Sequence, residues 1–151
     1  MIELVVTIGM TVGSLLLFGY WFRYTCLLIL SAKTTQDYAG EVAAANQLSF
    51  LEVQATLRAG VPAALDPLQA ALDRDYALVT YLLKNAALAA GHRSVETRML
   101  AMNYGLMRAW FRLSRQFSLE ASRRALEEMS QVVAHLANVM GEQAACGAAA
   151  A

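Results

Sequence analysis

The first part of the chain is almost uniformly apolar. Between Leu4 and Phe22 there is no charged side chain, and with Ile2 the apolar stretch reaches about 21 residues. As an α-helix it would measure roughly 31 Å, which matches the hydrocarbon thickness of a bilayer. It has no polar face with which a helix of a soluble domain would meet water. We therefore predict a single N-terminal transmembrane helix rather than a fully buried helix of a soluble protein.

The flanks of this stretch argue against a cleaved signal peptide and indicate an orientation. A signal peptide has a basic n-region and an apolar run of about 7–15 residues, whereas here the first charged side chain is Glu3. Tyr20, Trp21 and Arg23 are typical of a headgroup boundary, where aromatic rings and a snorkelling cation lie. Because Arg23 and Lys33 follow the stretch, the positive-inside rule predicts an outside N-terminus and a cytoplasmic C-terminal body.

Gly9 and Gly13 form a GxxxG motif inside the apolar stretch. Small residues let the backbones of two helices approach closely in lipid, where no hydrophobic force draws helices together. We expect Thr7, Thr11 and Ser14 to add small polar groups on an adjoining strip. The motif predicts packing against another transmembrane helix, of a second copy or of a larger complex. The alternative is a solitary anchor in the lipid bilayer whose glycines face lipid.

The chain after Ser31 has a helical pattern throughout. No run alternates with a period of two, and both prolines fall within residues 60–67. We predict an all-α fold in which a bundle of about four to five helices follows the transmembrane helix. The expected regions are 1–31 for the transmembrane helix and its juxtamembrane extension, 32–141 for the cytoplasmic bundle, and 142–151 for a flexible alanine-rich tail.

Capping residues indicate where several of these helices begin. Ser49 and Glu52 fit a capping box, and the helix that they open should end at Gly60. Ser118 stands before the last helix as an N-cap, with Glu120 near the positive end of the helix dipole.

Two helices have the most informative apolar spacing. The last one repeats apolar residues three and four apart, from Leu126 to Met140, with Asn138 among the polar residues opposite. We expect it to pack within the bundle rather than in a coiled coil with another subunit. The helix over 95–117 is apolar around more than half of its circumference. We expect it at the centre of the bundle, the alternative being a helix docked on a membrane or a partner subunit.

Composition and charge exclude several classes of protein. Hydrophobic residues make up 58% and charged residues 16%, and 12 basic side chains balance 12 acidic ones. The apolar content excludes a disordered chain, and the neutral balance argues against a nucleic-acid partner. Two distant cysteines exclude a disulfide scaffold and a cysteine-based metal site.

The basic residues are concentrated between residues 93 and 124. Arg108, Arg112 and Arg115, with Trp110, are candidates for contact with lipid headgroups or an acidic partner surface. The favoured alternative is internal pairing with acids such as Asp73. Asp75 has the helical phase of an apolar face, so it is either a boundary residue paired to an arginine or a buried functional carboxylate.

No catalytic, metal-binding or cofactor-binding signature is present. We therefore expect a non-enzymatic accessory, assembly or structural subunit of a membrane complex, which binds no cofactor and acts through helix–helix packing. The second hypothesis is a membrane-tethered ligand-binding or signalling module with a pocket near Asp75 and Tyr76. An enzyme whose site the spacing does not reveal is the third.

Overall fold

The computed structural model describes residues 1–32, 36–60, 64–90 and 95–149, with the side chains of 87–90 left out. These residues form six helices and no strands, so the predicted all-α class is confirmed. The helices are α1 (Ile2–Ser31), α2 (Ala39–Asn46), α3 (Phe50–Arg58), α4 (Leu65–Ala90), α5 (Val95–Ser114) and α6 (Leu119–Ala149). The chain divides into two compact units, residues 1–33 and residues 34–151.

The first unit is the single helix α1. Its 30 residues correspond to about 45 Å, more than the roughly 30 Å hydrocarbon core of a bilayer. Among the described residues, α1 alone is long and apolar enough to cross a membrane, a test that a signal sequence near the N-terminus also passes. It ends where Ala32 takes an extended conformation, with φ −64° and ψ 123°.

The second unit is a bundle built around α6. This helix packs against α2, α3, α4 and α5, and its predicted apolar stripe is buried, with Leu126, Met129, Val133 and Leu136 fully inaccessible. The expectation that the helix over 95–117 is central was wrong. Only one face of α5 is buried, against α6, and the opposite face is exposed.

Helix α2 is held against the C-terminal half of α6. The backbone N–H of Tyr38 donates to Oδ1 of Asn138 over 2.7 Å, and a Cβ added to Gly141 would overlap the Cβ of Tyr38. Asn138 does lie on the polar side of α6, but α2 covers that side, so Asn138 is buried. Helix α6 continues through Ala149, whereas the sequence predicts a flexible tail over 142–151; residues 150 and 151 lie outside the described residues. Alanine has the highest helix propensity, and this segment is rich in it.

The starts of α3 and α6 show how far capping rules apply. Ser118 caps α6 as predicted, since its Oγ accepts the N–H of Ala121 over 3.2 Å. The capping box at Ser49 was wrong. Its hydroxyl makes no cap bond and instead accepts from Arg74 of α4 over 2.6 Å. Gly60 follows α3 with φ 66°, the left-handed conformation that favours glycine after a helix.

Candidate functional site

A groove of about 930 Å³ lies between α4 and α5. Both helices pack on α6, yet no Cα atom among the described residues of α4 comes within 8 Å of one in α5. The walls come from Asp73 to Lys84 in α4 and from Thr97 to Arg108 in α5, and Gln143 of α6 contributes as well. Each wall is about three helical turns, or roughly 17 Å, long.

Side chains alone bridge the groove at one end. The rings of Tyr76 and Tyr104 stack with centroids 3.8 Å apart and planes 2° apart. The Tyr104 hydroxyl donates to Oδ1 of Asp73 over 2.9 Å, while Nη2 of Arg108 lies 3.0 Å from Oδ2 of the same carboxylate. Asp73 therefore has its charge balanced by Arg108 and accepts a hydrogen bond from Tyr104, so two groups of α5 hold it at this end of the groove.

Burial changes the acidity of the two tyrosines. It raises the pKa of Tyr104 well above its ordinary range, because the charged form would lose its hydration. The Asp73 carboxylate raises the pKa further through its charge and through the hydrogen bond, and Arg108 opposes this in part. Burial also raises the pKa of Tyr76. Both rings therefore remain neutral phenols at physiological pH.

The other end of the groove is cationic. Lys84 and Arg98 line it, and in the part of the chain that the structure describes neither forms an ion pair. The helices run antiparallel, since Asp73 early in α4 pairs with Arg108 late in α5, so the two cations lie at the same end. Between the ends the walls carry Ala101 beside the larger side chains of Thr80, Tyr81 and Met102. A Cβ at Gly105 would meet no atom within 4 Å, so this part of the groove is open.

Asp75 does not line the groove, although the second hypothesis placed a pocket near it. Successive residues of a helix point about 100° apart, so Tyr76 faces α5 while Asp75 faces α3. Asp75 is 1% exposed, and its Oδ2 accepts the N–H of Ser49 over 2.6 Å. Its Oδ1 has no hydrogen bond and lies 3.5 Å from Nη2 of Arg74. The carboxylate thus caps α3 in the place that Glu52 was expected to take.

The three candidate arginines have different surroundings. Arg108 pairs with Asp73 as described above, and Arg115 forms a bidentate pair with Asp66, with one arm at 2.7 Å. Internal pairing, the favoured alternative, therefore holds for these two. Arg112 is exposed and has no ion pair within the described residues.

Trp110 belongs to an exposed apolar surface that we call the α5 apolar face. This face consists of Met102, Leu106, Trp110, Leu113 and Phe117, whose exposed fractions lie between 43% and 65%. The four helical members fall within an arc of about 80°. The rings of Trp110 and Phe117 pack edge to face, with centroids 6.2 Å apart. Met102 lies at the boundary between this face and the groove.

The candidate membrane residues all lie in α1. A Cβ at Gly9 or Gly13 would meet no atom within 4 Å, so the glycine face is open. Thr7, Thr11 and Ser14 do not adjoin it. In a continuous α-helix they lie about 100–160° around from the glycines. The hydroxyls of Thr7 and Thr11 donate to the backbone one turn earlier, each over 2.8 Å.

The aromatic residues predicted at the membrane boundary form one cluster. Tyr20 stacks on Tyr24 with centroids 6.4 Å apart, and Trp21 packs edge to face against both. Arg23 lies within the same two turns of α1.

Sequence reasoning named Asp73 as a partner for the arginines but missed Tyr104 as the second partner of that carboxylate, and it missed the cations Lys84 and Arg98. Part of the groove wall could be predicted from the sequence, because Asp73 and Tyr76 lie on the same side of α4 one turn apart. What the sequence does not give is the separation of α4 from α5. Within the described ranges, no group of three or more His, Cys, Asp or Glu residues is placed to hold a metal ion.

No protein-family model matches this chain, and neither the curated proteins nor the solved structures contain a match to it.

Proposed function

We propose that this protein is a non-enzymatic accessory subunit of a membrane complex, anchored by α1 and docked on its partner through the α5 apolar face. The observation that carries this proposal is the exposure of five large apolar side chains on one contiguous face. Contiguous exposed apolar patches on soluble surfaces mark sites of interaction with proteins or membranes. Their burial on a partner is favourable because it removes apolar area from water.

The spacing of the α5 apolar face suits a helix of a partner protein. Its members are three and four residues apart over about four turns, which is the pattern of a helix–helix seam. Trp110 at its middle is of the residue type most enriched among interface hot spots. The face carries no charged side chain of its own, which favours an apolar protein groove or helix over a layer of lipid headgroups.

The open glycine face of α1 supports a second contact with the same complex. Gly9 and Gly13 leave the backbone accessible, so another membrane helix can approach closely. In this proposal α1 spans the bilayer with its N-terminus outside, and the bundle lies in the cytoplasm beside the partner's cytoplasmic surface.

The test of the docking face is the substitution Leu113→Glu, which places a charge in its centre. We expect the full chain to leave its large native complex in gentle detergent, with affinity lowered roughly 30-fold for a hot-spot loss of about 2 kcal/mol. Leu51→Glu is the matched control, because Leu51 is similarly exposed but lies in α3. A photoreactive amino acid at position 110 should crosslink to a protein.

Three results would contradict the docking proposal. They are an unchanged complex in the Leu113→Glu variant, an equal loss in the Leu51→Glu control, and crosslinks from position 110 to lipid alone.

For the membrane contact, the double substitution Gly9→Ile with Gly13→Ile should weaken association of the protein with its complex, while Gly19→Ile should not. Neither site offers an internal clash that would unfold α1.

We propose a membrane-tethered ligand-binding module as the second candidate. The groove between α4 and α5 favours it, since its volume falls within the range of about 300–1,000 Å³ typical of small-molecule sites.

A further inference from the structure

We propose that the groove between α4 and α5 binds a single-chain amphipathic anion, with a carboxylate or phosphate headgroup on Lys84 and Arg98 and an alkyl chain directed towards the tyrosine pair. The proposal rests on the ligand-binding candidate above and is independent of docking through the α5 apolar face. The two surfaces share only Met102.

The charge of the groove selects an anion. Among the described residues, its lining holds three cations, Lys84, Arg98 and Arg108, and a single carboxylate, Asp73. Asp73 is already occupied by Arg108 and the Tyr104 hydroxyl, so the two remaining cations determine the charge of the ligand. Guanidinium and ammonium groups bind carboxylates and phosphates by charge-assisted hydrogen bonds.

The shape of the groove selects an unbranched apolar body. The walls carry the small residues Ala77, Ala101 and Gly105 among the larger Thr80, Tyr81 and Met102, and a Cβ at Gly105 would meet no atom within 4 Å, so an open channel runs beside this glycine. Met102 and the edge of the tyrosine pair offer apolar and aromatic surface beside it.

The tyrosine pair closes the channel at its far end. The two rings stack at 3.8 Å with no room for a third ring between them, and the Asp73 hydrogen bonds hold Tyr104 in place. An alkyl chain that enters from the cationic end therefore meets a neutral aromatic surface. The headgroup stays near solvent, where both cations are exposed.

The experiment measures decanoate binding to the full chain in nanodiscs of zwitterionic lipid, with empty nanodiscs as the partition control. We expect saturable binding of decanoate or decyl phosphate, and the stronger of the two identifies the headgroup. Methyl decanoate, which lacks the charge, should bind about tenfold more weakly. A diazirine derivative of decanoate should label peptides within 73–84 and 97–108.

Gly105→Leu tests the channel without disturbing the fold, because the new side chain enters open space and leucine favours a helix. We expect it to abolish saturable binding, while Gly147→Leu, the same change at an open site of α6, leaves binding intact. Lys84→Gln and Arg98→Gln should each weaken binding about fivefold, as expected for exposed charges. Arg58→Gln in α3 should have no effect.

Several outcomes would overturn the proposal. They are the absence of saturable binding for both anions, equal affinity for methyl decanoate, full binding by Gly105→Leu, and labelling outside the two groove segments. If Gly105→Leu fails to fold, the two charge variants and the methyl ester still decide the matter. Failure of these tests leaves docking by the α5 apolar face unaffected, because that face is tested by association and not by ligand binding.

Discussion

Tyr104 links the stability of the fold to pH in the alkaline range. Its pKa is raised in the folded state, chiefly by burial and then by Asp73. An unfolded chain releases the phenol proton above about pH 10, whereas the folded chain keeps it. The stabilisation linked to this proton is thus fully present below about pH 10 and is lost as the pH rises.

The corresponding prediction concerns Tyr104→Phe, which removes the proton altogether. Between neutral pH and about pH 11, the free energy of unfolding of the parent chain should fall more steeply than that of the variant. The difference should reach at most about 1.4 kcal/mol per pH unit. Urea unfolding followed by circular dichroism in mild detergent measures it. Tyr81→Phe, at a side chain that is 63% exposed, is the control, and parallel curves for parent and Tyr104→Phe would contradict the prediction.

Single residues also show where sequence reasoning stops. The helical phase of Asp75 correctly indicated a buried position, and an adjacent arginine does lie beside it. The hydrogen-bond partner of Asp75 is the N–H of Ser49, which is 26 positions away in the sequence. The two groups come within hydrogen-bonding distance only when α3 packs on α4. Local rules assigned that N–H to Glu52, because they consider neighbours in sequence alone.

At the scale of helices, the contact between α2 and α6 depends on a glycine. The Cβ of an alanine at position 141 would overlap the Cβ of Tyr38, so the two backbones would have to separate. We predict that Gly141→Ala lowers the free energy of unfolding by about 1–3 kcal/mol. This occurs although alanine favours a helix over glycine by about 1 kcal/mol.

Gly147→Ala provides the matched control for that prediction. The site lies in the same helix, but a Cβ there meets nothing within 4 Å. The substitution should therefore leave stability unchanged or raise it by up to about 1 kcal/mol. Thermal unfolding of both variants makes the comparison, and a Gly141→Ala variant at least as stable as the parent would exclude the close approach.

Periodicity predicted the helices better than their partners. The stripe from Leu126 to Leu136 correctly identified the buried face of α6, because a regular amphipathic pattern reports which side of a helix is buried. In α5 the same reasoning failed. A helix that is apolar on two sides can bury one side in the bundle and leave the other exposed, and the sequence does not distinguish the two sides. The groove depends on the spacing of α4 and α5 on α6, which no local pattern encodes.

At the scale of the whole molecule, the location of the bundle depends on the fate of α1. The helix is long and apolar enough to cross a bilayer, and a retained anchor and a cleaved signal sequence share that property. A retained anchor and a cleaved signal sequence differ in whether the mature protein still contains residues 1–31. An anchored chain resists carbonate extraction and keeps residues 1–31, whereas a processed one is released and lacks them. Intact mass spectrometry of the protein in both the membrane fraction and the soluble fraction therefore separates the two.

Labelling of a single thiol can report the orientation of the chain in the membrane. The chain has two cysteines, and Cys146 is exposed near the end of α6. In a Cys26→Ser background, we predict that a membrane-impermeant maleimide labels Cys146 only after the membrane is permeabilised, because the positive-inside rule places the bundle in the cytoplasm. A variant that also carries Cys146→Ser controls for background labelling. Labelling in intact cells would instead put the α5 apolar face and the groove outside, and with them any partner or amphipathic anion that they bind.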